Sequence, residues 1–190
     1  MKKIQSAKWL RRMAAVLAAA MLCVSLSGCN IITLVQNWGA VGEETIESQY
    51  GDYSLTVTSG WADATDELND AAVLEVADKV REKYVVVIPY SWDEVDEDMT
   101  LEEFADYVSQ DIVGNIDNGR RTSEPDATVE GKSAPSYQVT GAIDDLEVTY
   151  WITCSEAEEG YFQTIGWTLK NMANKNKDDI QTVMHSLKVG

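Results

Sequence analysis

Apolar positions along this chain follow two regimes. Residues 13–26 are apolar almost without interruption and follow a start that carries Lys2, Lys3, Lys8, Arg11 and Arg12 but no acid. A basic opening before an apolar stretch of this length is the pattern of a secretory signal, too short for a comfortable membrane span. Beyond it, apolar residues come in short periodic sets separated by charged turns. Ile31, Leu34, Val35 and Trp38 recur at i, i+3, i+4 and i+7, which fits either a short helix on a lipid surface or a segment packed on the domain or without fixed structure. Residues 39–50, with Gly39, Gly42, Glu43, Glu44 and Glu47, read as a tether. Residues 53–58 alternate as a strand ended by Gly60-Trp61. Residues 69–84 fit both periods: Val73, Val76, Ala77, Val80 and Tyr84 make a helical stripe, while residues 72–76 alternate as a strand.

The remaining pattern is clearer. Residues 84–88 form a β-branched run apolar on both faces and closed by Pro89, which requires layers above and below a sheet. Thr100-Leu101-Glu102-Glu103 has the form of a capping box, and Leu101, Phe104, Ala105, Val108 and Ile112 follow on one face, so a helix is expected to about residue 116. Residues 136–142, 147–154 and 161–169 alternate and are separated by Asp144-Asp145 and by residues 156–160, which predicts an antiparallel meander. Asp178 and Asp179 in a first turn, followed by Ile180, Val183, Met184 and Leu187, predict a C-terminal amphipathic helix. Two helices with five or six strands give an α+β class: an α/β/α sandwich with a central, mainly antiparallel sheet and helices on both faces.

The end of the apolar segment, Leu26-Ser27-Gly28-Cys29, resembles the lipobox of bacterial lipoprotein precursors. The resemblance implies cleavage before Cys29 and a diacylglycerol on its thiol, a stable anchor because two acyl chains hold where one holds only reversibly. It divides the chain into a signal at 1–28, a lipidated N-terminus and tether at 29–50 and a domain at 51–190. The membrane is then a partner through the lipid, and the domain faces the extracytoplasmic side. Leu10 before Arg11-Arg12 and Met13-Ala14-Ala15 after it depart from the twin-arginine pattern, so Sec export is expected.

Charge narrows the partners. Loss of residues 1–28 removes five cations and no acid, taking the formal net charge from −17 to −22. Such a surface repels phosphate backbones and anionic headgroups, which excludes nucleic acid and holds the domain off the bilayer. Cys23 leaves with the signal and Cys29 is acylated, so Cys154 stands alone and the mature domain has no internal disulfide. Stability must come from packing, for which Trp61, Trp92, Trp151 and Trp167 supply large surfaces.

Candidate chemistry is sparse. His185 is the only histidine, which rules out by counting the HExxH, Cys2His2 and two-histidine metal sites. Cys154 and His185 make an arithmetically possible nucleophilic pair, but Cys154 is in phase with Val148, Tyr150 and Ile152, where a buried thiol is the ordinary reading. His185 reads as a charge at a helix end or a partial core residue. Ser133, in Gly131-Lys132-Ser133-Ala134-Pro135, lacks the second glycine of a nucleophile elbow. No phosphate-cradling glycine loop occurs, and no cofactor is expected. Asp93, Glu94, Asp96, Glu97, Asp98, Glu102, Glu103 and Asp106 crowd into fourteen positions, and Asp93, Asp96 and Asp98 are the candidate ligands for a hard cation such as calcium. Counted from Asp96 as a calcium loop, however, position six is Leu101 and position twelve is Tyr107. A solvated acidic loop is the preferred reading.

The order of segments also resembles a known group. Gly60-Trp61 after a strand, Lys83-Tyr84-Val85-Val86-Val87-Ile88, Met99-Thr100-Leu101-Glu102-Glu103-Phe104, Val129-Glu130-Gly131-Lys132-Ser133-Ala134, Gly160 to Thr168 and the terminal Ser186-Leu187-Lys188 are together similar to the PsbP-like superfamily, which includes DcrB-type bacterial lipoproteins. The resemblance implies an antiparallel sheet between helices, a strand at 71–76 and a turn at 78–83. It further implies a non-catalytic binding or assembly module with an envelope protein as partner. A calcium-binding lipoprotein using the acidic run is the alternative, and an enzyme with an unrecognised carboxylate or cysteine site is a further one.

Overall fold

A computed structural model describes residues 42–190. The signal, Cys29 and the stripe at 31–38 lie outside the described residues. In chain order the elements are β1 (Glu44–Glu47), β2 (Tyr53–Val57), β3 (Ala62–Asp63), β4 (Leu74–Asp78), β5 (Lys83–Ser91), α1 (Leu101–Gly114), β6 (Asp117–Val129), β7 (Lys132–Ile143), β8 (Leu146–Ala157), β9 (Gly160–Leu169), a 3₁₀ turn (Lys170–Met172), α2 (Ala173–His185) and β10 (Lys188–Val189). Seven strands form one sheet in the order β3-β4-β5-β9-β8-β7-β6, and β1-β2-β10 form a second. Every strand pair is antiparallel.

Central strands β5, β9 and β8 are buried at successive positions, so both faces of the sheet need cover. One face sends Val86, Ile88, Tyr150, Ile152 and Ile165 against Phe104, Val108 and Ile112 of α1. The other sends Val85, Val87, Trp151 and Phe162 against Ile180, Val183 and Met184 of α2, with Leu55 and Val57 of β2 completing that core. This is the expected sandwich of one helix layer on each face. The capping box forms as expected: Thr100 Oγ1 accepts from the Glu103 amide at 3.2 Å, and Glu103 Oε2 accepts from the Thr100 amide at 2.9 Å.

Several expectations need correction. The stretch at 39–50 is not all tether, because Glu44–Glu47 pairs along β2 from Glu44↔Val57 to Glu47↔Ser54. β2 itself belongs to the small sheet, and the main sheet has seven strands rather than about six. The strand expected at 71–76 lies at Leu74–Asp78. Pro89 does not close β5, which continues to Ser91 paired with Gly160. Val87 accepts from the Val73 amide toward β4, so Pro89, in phase with it, turns its missing N–H to the side where β4 has already ended. β6 escaped the pattern altogether: it is an edge strand of mostly exposed residues, carries Pro125 at a register shift, and is held by backbone pairing to β7. Asp178 and Asp179 do not open α2, which begins five residues earlier at Ala173 with no side-chain cap. Trp92 is 44% exposed and adds little to the core, unlike Trp61, Trp151 and Trp167.

One ionic cluster crosses the second core. Lys83, 3% exposed, pairs with Asp78 at 3.1 Å and with Asp179 of α2, and lies 4.7 Å from the centroid of the Trp61 ring. Trp61 Nε1 donates to Asp179 at 3.2 Å, as does Thr58 Oγ1 at 3.1 Å. Burial pushes the Asp179 carboxyl up, but Lys83, Thr58 and Trp61 together outweigh it and hold the group below the ordinary carboxylate range. A buried pair of this kind locates its partners, since losing one member leaves the other charge unpaired. Here it pins the β4–β5 turn to α2.

The two glycines nearest the helix and turn contacts are required by space. A Cβ on Gly160 would lie 2.0 Å from the Tyr90 carbonyl oxygen, and one on Gly166 would lie 2.3 Å from Ile180 Cγ2 and 2.6 Å from Met184 Sδ. We expect Gly166→Ala to destabilise the fold by about 1–3 kcal/mol through overpacking against α2. Urea unfolding of wild type and variant measures this as a lower midpoint at unchanged slope, and an unaltered midpoint would mean that α2 is not seated on Gly166.

Candidate functional site

Strand alternation decides the fate of the suspected nucleophile. Along β8, Val148, Tyr150, Ile152 and Cys154 enter the core under α1, while Trp151 faces α2. Cys154 is fully buried and free, and burial pushes its thiol far up. His185 sits at the last turn of α2, where its Nε2 lies 3.4 Å from Thr153 Oγ1. Thr153 and Cys154 are consecutive strand residues and point to opposite faces, so the sheet separates thiol from imidazole. Burial lowers the His185 pKa from its ordinary 6.5, which favours a neutral, partly buried ring over a charge at the helix end. Ser133 Oγ donates to Asp126 Oδ2 at 2.9 Å on the exposed β6–β7 hairpin, far in the chain from His185.

The acidic run is held by aromatic rings. Trp92 packs edge-on to Tyr161 with centroids 5.0 Å apart and donates from Nε1 to the Glu158 carbonyl, and Tyr161 donates from its hydroxyl to the Met99 carbonyl at 2.7 Å. A shallow groove of about 1350 Å³ follows the α1 flank, with Asp96, Asp98, Glu102, Asp106 and Tyr137 among its walls; Asp93 is not part of it. Three of the run's carboxylates have internal partners: Glu94 accepts from Ser91, Glu103 caps α1, and Asp106 pairs with Arg121 at 2.7 Å. Among the described residues, no three Asp, Glu, His or Cys side chains converge to hold a metal ion, and Asp93, Asp96 and Asp98 do not form a cage.

A second concavity, about 680 Å³, opens where the β1–β2 turn meets the ends of β5 and β9. Ile88, Pro89, Tyr90, Tyr53 and Phe162 line it, Tyr50 stands at its mouth, and Asp66, Asp70, Glu94 and Glu159 supply its charge. Among the described residues, no Lys, Arg or His lines it. Its walls are braced from three directions. Tyr53 and Phe162 have ring centroids 5.5 Å apart, tying the small sheet to β9. Tyr50 donates from its hydroxyl to Asp66 at 2.6 Å, and Ser48 Oγ donates to the Val73 carbonyl. The loop carrying Asp66 and Asp70 is shaped by Glu75, whose buried carboxylate accepts from the amides of Glu67 and Leu68 at 3.0 Å and of Asn69 at 2.6 Å. Burial nevertheless leaves the Glu75 pKa raised. The bond to Asp66 raises the Tyr50 hydroxyl, and burial followed by Glu159 raises that of Tyr53, so both rings stay neutral in ordinary buffers.

Sequence reading did not single out this cleft. Its residues come from segments far apart in the chain, and Tyr50 fell within the stretch read as a tether.

The fold, an antiparallel seven-stranded sheet covered by one helix on each face, can be compared with known proteins. No protein-family model matches the sequence, and no curated protein matches it. Among solved structures, cyanobacterial PsbP (CyanoP) from Synechocystis sp. PCC 6803 superposes with a TM-score of 0.53 at 14% identity, covering 87% of this chain and 99% of that one. LpqN, involved in cell envelope biogenesis of Mycobacterium tuberculosis, gives a TM-score of 0.53 at 14% identity over 77% of this chain and 90% of its own. At that identity the likeness is one of fold, and the chain has a PsbP-like fold.

Two expected outcomes follow from the separated thiol and imidazole. Alkylation of Cys154 is slow in the native protein and fast in denaturant, as mass spectrometry of iodoacetamide-treated samples would record; rapid native labelling would contradict the burial. For His185, whose folded pKa is depressed, the unfolded chain takes up the proton first as pH falls below about 6.5. The stability of wild type relative to His185→Gln should therefore decline from pH 7.5 to pH 5.5. A relative gain on acidification would mean that the ring carries a charge favoured by the helix end.

Proposed function

We propose that this chain is an extracytoplasmic lipoprotein, held at the cell membrane by a diacylglycerol on Cys29, whose PsbP-like domain acts as a non-catalytic module that docks an envelope protein. One observation carries the non-catalytic reading: the only thiol among the described residues and the only imidazole lie on opposite faces of the main sheet, while both concavities are walled by aromatic rings and carboxylates. Such walls suit recognition, for they offer shape and charge without a thiol or an imidazole among their lining residues. The anchor rests on Leu26-Ser27-Gly28-Cys29 after its apolar run. The likeness to LpqN supports an envelope setting through fold alone. Nothing in the geometry of Asp93, Asp96 and Asp98 favours the calcium reading over this one.

Cys29→Ser separates the anchor from the fold. The variant should lose metabolic palmitate label and leave the membrane fraction, with the circular dichroism of its domain unchanged. Membrane label equal to wild type would refute the anchor. Photo-crosslinking from the domain surface in intact cells should then yield one reproducible envelope protein, and a uniform absence of crosslinks would remove the docking role.

A further inference from the structure

The two ends of the main sheet differ in charge and in how the chain reaches them. At one end lie the β4–β5 turn, joined at Asp78↔Lys83, the β7–β8 turn, joined at Ile143↔Leu146, and the exit of β9, whose Leu169 pairs with Val148. The opposite end holds the β8–β9 turn, the end of β5 at Ser91 and the acidic run that follows it, fastened there by Trp92 and Tyr161. β1 enters from the first end. Its Glu44 pairs with Val57, and the neighbouring Thr58 and Trp61 bond Asp179, the partner of Lys83.

The entry end also carries exposed apolar side chains. Val80, in the β4–β5 turn, is 77% exposed, and Leu146, beside the Asp144-Asp145 turn, is 49% exposed. Lys79 and Arg81 in the first of these turns, Lys170 after β9 and Lys175 in the first turn of α2 bring positive charge to the same end. Among the described residues, only Lys132 and Lys188 are cations placed toward the opposite end. Acids occur at both ends, but the acidic run and the Glu158-Glu159 turn belong to the one with few cations to offset them.

We propose that the entry end of the sheet rests on the lipid surface that holds Cys29, with Val80 and Leu146 seated among the headgroups and the acidic end pointing away. Fully extended, the chain from Cys29 to Gly42 spans at most about 45 Å. β8 alone, at the usual rise per residue, is about 40 Å long. The acidic end therefore meets the bilayer only with the connecting chain drawn nearly straight along the sheet, whereas the entry end needs no such reach. The average charge of the domain opposes contact with an anionic surface, and its uneven distribution turns the less acidic end inward. Two apolar side chains are too few to hold the domain by themselves, so the contact orients what the lipid anchors. The inference rests on the lipid anchor proposed above and deepens it, stating which surface meets the membrane and which is left free for a protein partner.

The test places a thiol for an environment-sensitive dye at one exposed position at a time: Val80→Cys, Leu146→Cys, Glu97→Cys or Glu158→Cys, with Cys154 buried. The lipidated chain is reconstituted into vesicles of phosphatidylcholine and phosphatidylglycerol that contain a nitroxide-bearing lipid. Dye at 80 and 146 should shift to the blue and lose emission to the nitroxide, and dye at 97 and 158 should do neither. Equal quenching at both ends, or quenching at 97 and 158 alone, overturns the orientation. So does a blue shift at 80 and 146 without quenching, which a second copy of the chain covering that end would give. Flotation of the vesicles tests the anchor separately: lipidated wild type should rise with them and Cys29→Ser should stay behind. Wild type left behind, or both carried alike, refutes the anchor and the inference with it, while flotation of wild type with equal quenching refutes the orientation alone.

Discussion

Everything in this molecule depends on three adjacent strands that are apolar on both faces. Once β5, β9 and β8 pair, neither face of the sheet can be left to water, and the chain must supply a covering layer on each side. The capping box starts one cover at α1, and the closeness permitted by Gly166 seats the other. The small β1-β2-β10 sheet completes the layer beside α2, where Leu55 and Val57 of β2 join Ile180, Val183 and Met184 in one core. The same constraint governs chemistry. Alternation along β8 sends Cys154 to one face, and the covering helix carries His185 to the other, so two reactive side chains are kept apart by the very sheet that buries them.

Charge inside the domain is used sparingly and always with donors present. Glu75 keeps a buried carboxylate among three backbone amides, and Lys83 sits between Asp78 and Asp179 over an indole ring. Both arrangements hold pieces of chain in place: the 64–72 loop in the first case, and the β4–β5 turn against α2 in the second. A desolvated charge is costly without its partners, which makes each arrangement a locator with one low-energy geometry. The shape of the cleft follows from these locators, since Asp66 and Asp70 stand where the Glu75 loop places them.

Outside, the acids far outnumber the bases, and the formal charge of −17 applies to a chain whose cations are concentrated partly in its first twelve residues. The carboxylates are not uniform in use. Glu94, Glu103 and Asp106 serve local caps and a pair with Arg121, while Asp66 accepts from the Tyr50 hydroxyl at the cleft. The α1 groove and the β1–β2 cleft are thus chemically distinct, although both are acidic: the first is a helix flank open to water, the second a partly apolar hollow.

Local signals in the sequence carried most of the architecture. The two-face run at 84–88, the Thr100–Glu103 box, the Asp144-Asp145 turn and the phase of Cys154 with Val148, Tyr150 and Ile152 each act over a few residues, and each appears in the structure at that place. What lacked a local signal was decided by tertiary contact. β6 lacks apolar alternation until Ala127 and Val129 at its end and is held for most of its length by pairing to β7, and β1 is a strand only because β2 lies beside it. α2 begins before Asp178 because Asn176 bonds the Arg81 carbonyl and Thr168, a contact no periodicity encodes. The cleft is the furthest case, joining Tyr50, Asp70 and Phe162 through a turn, a loop and a strand. Periodicity reports which face of an element is buried, whereas a concavity between elements exists only after they have been assembled, and its ligand preference is set by side chains that become neighbours at that moment.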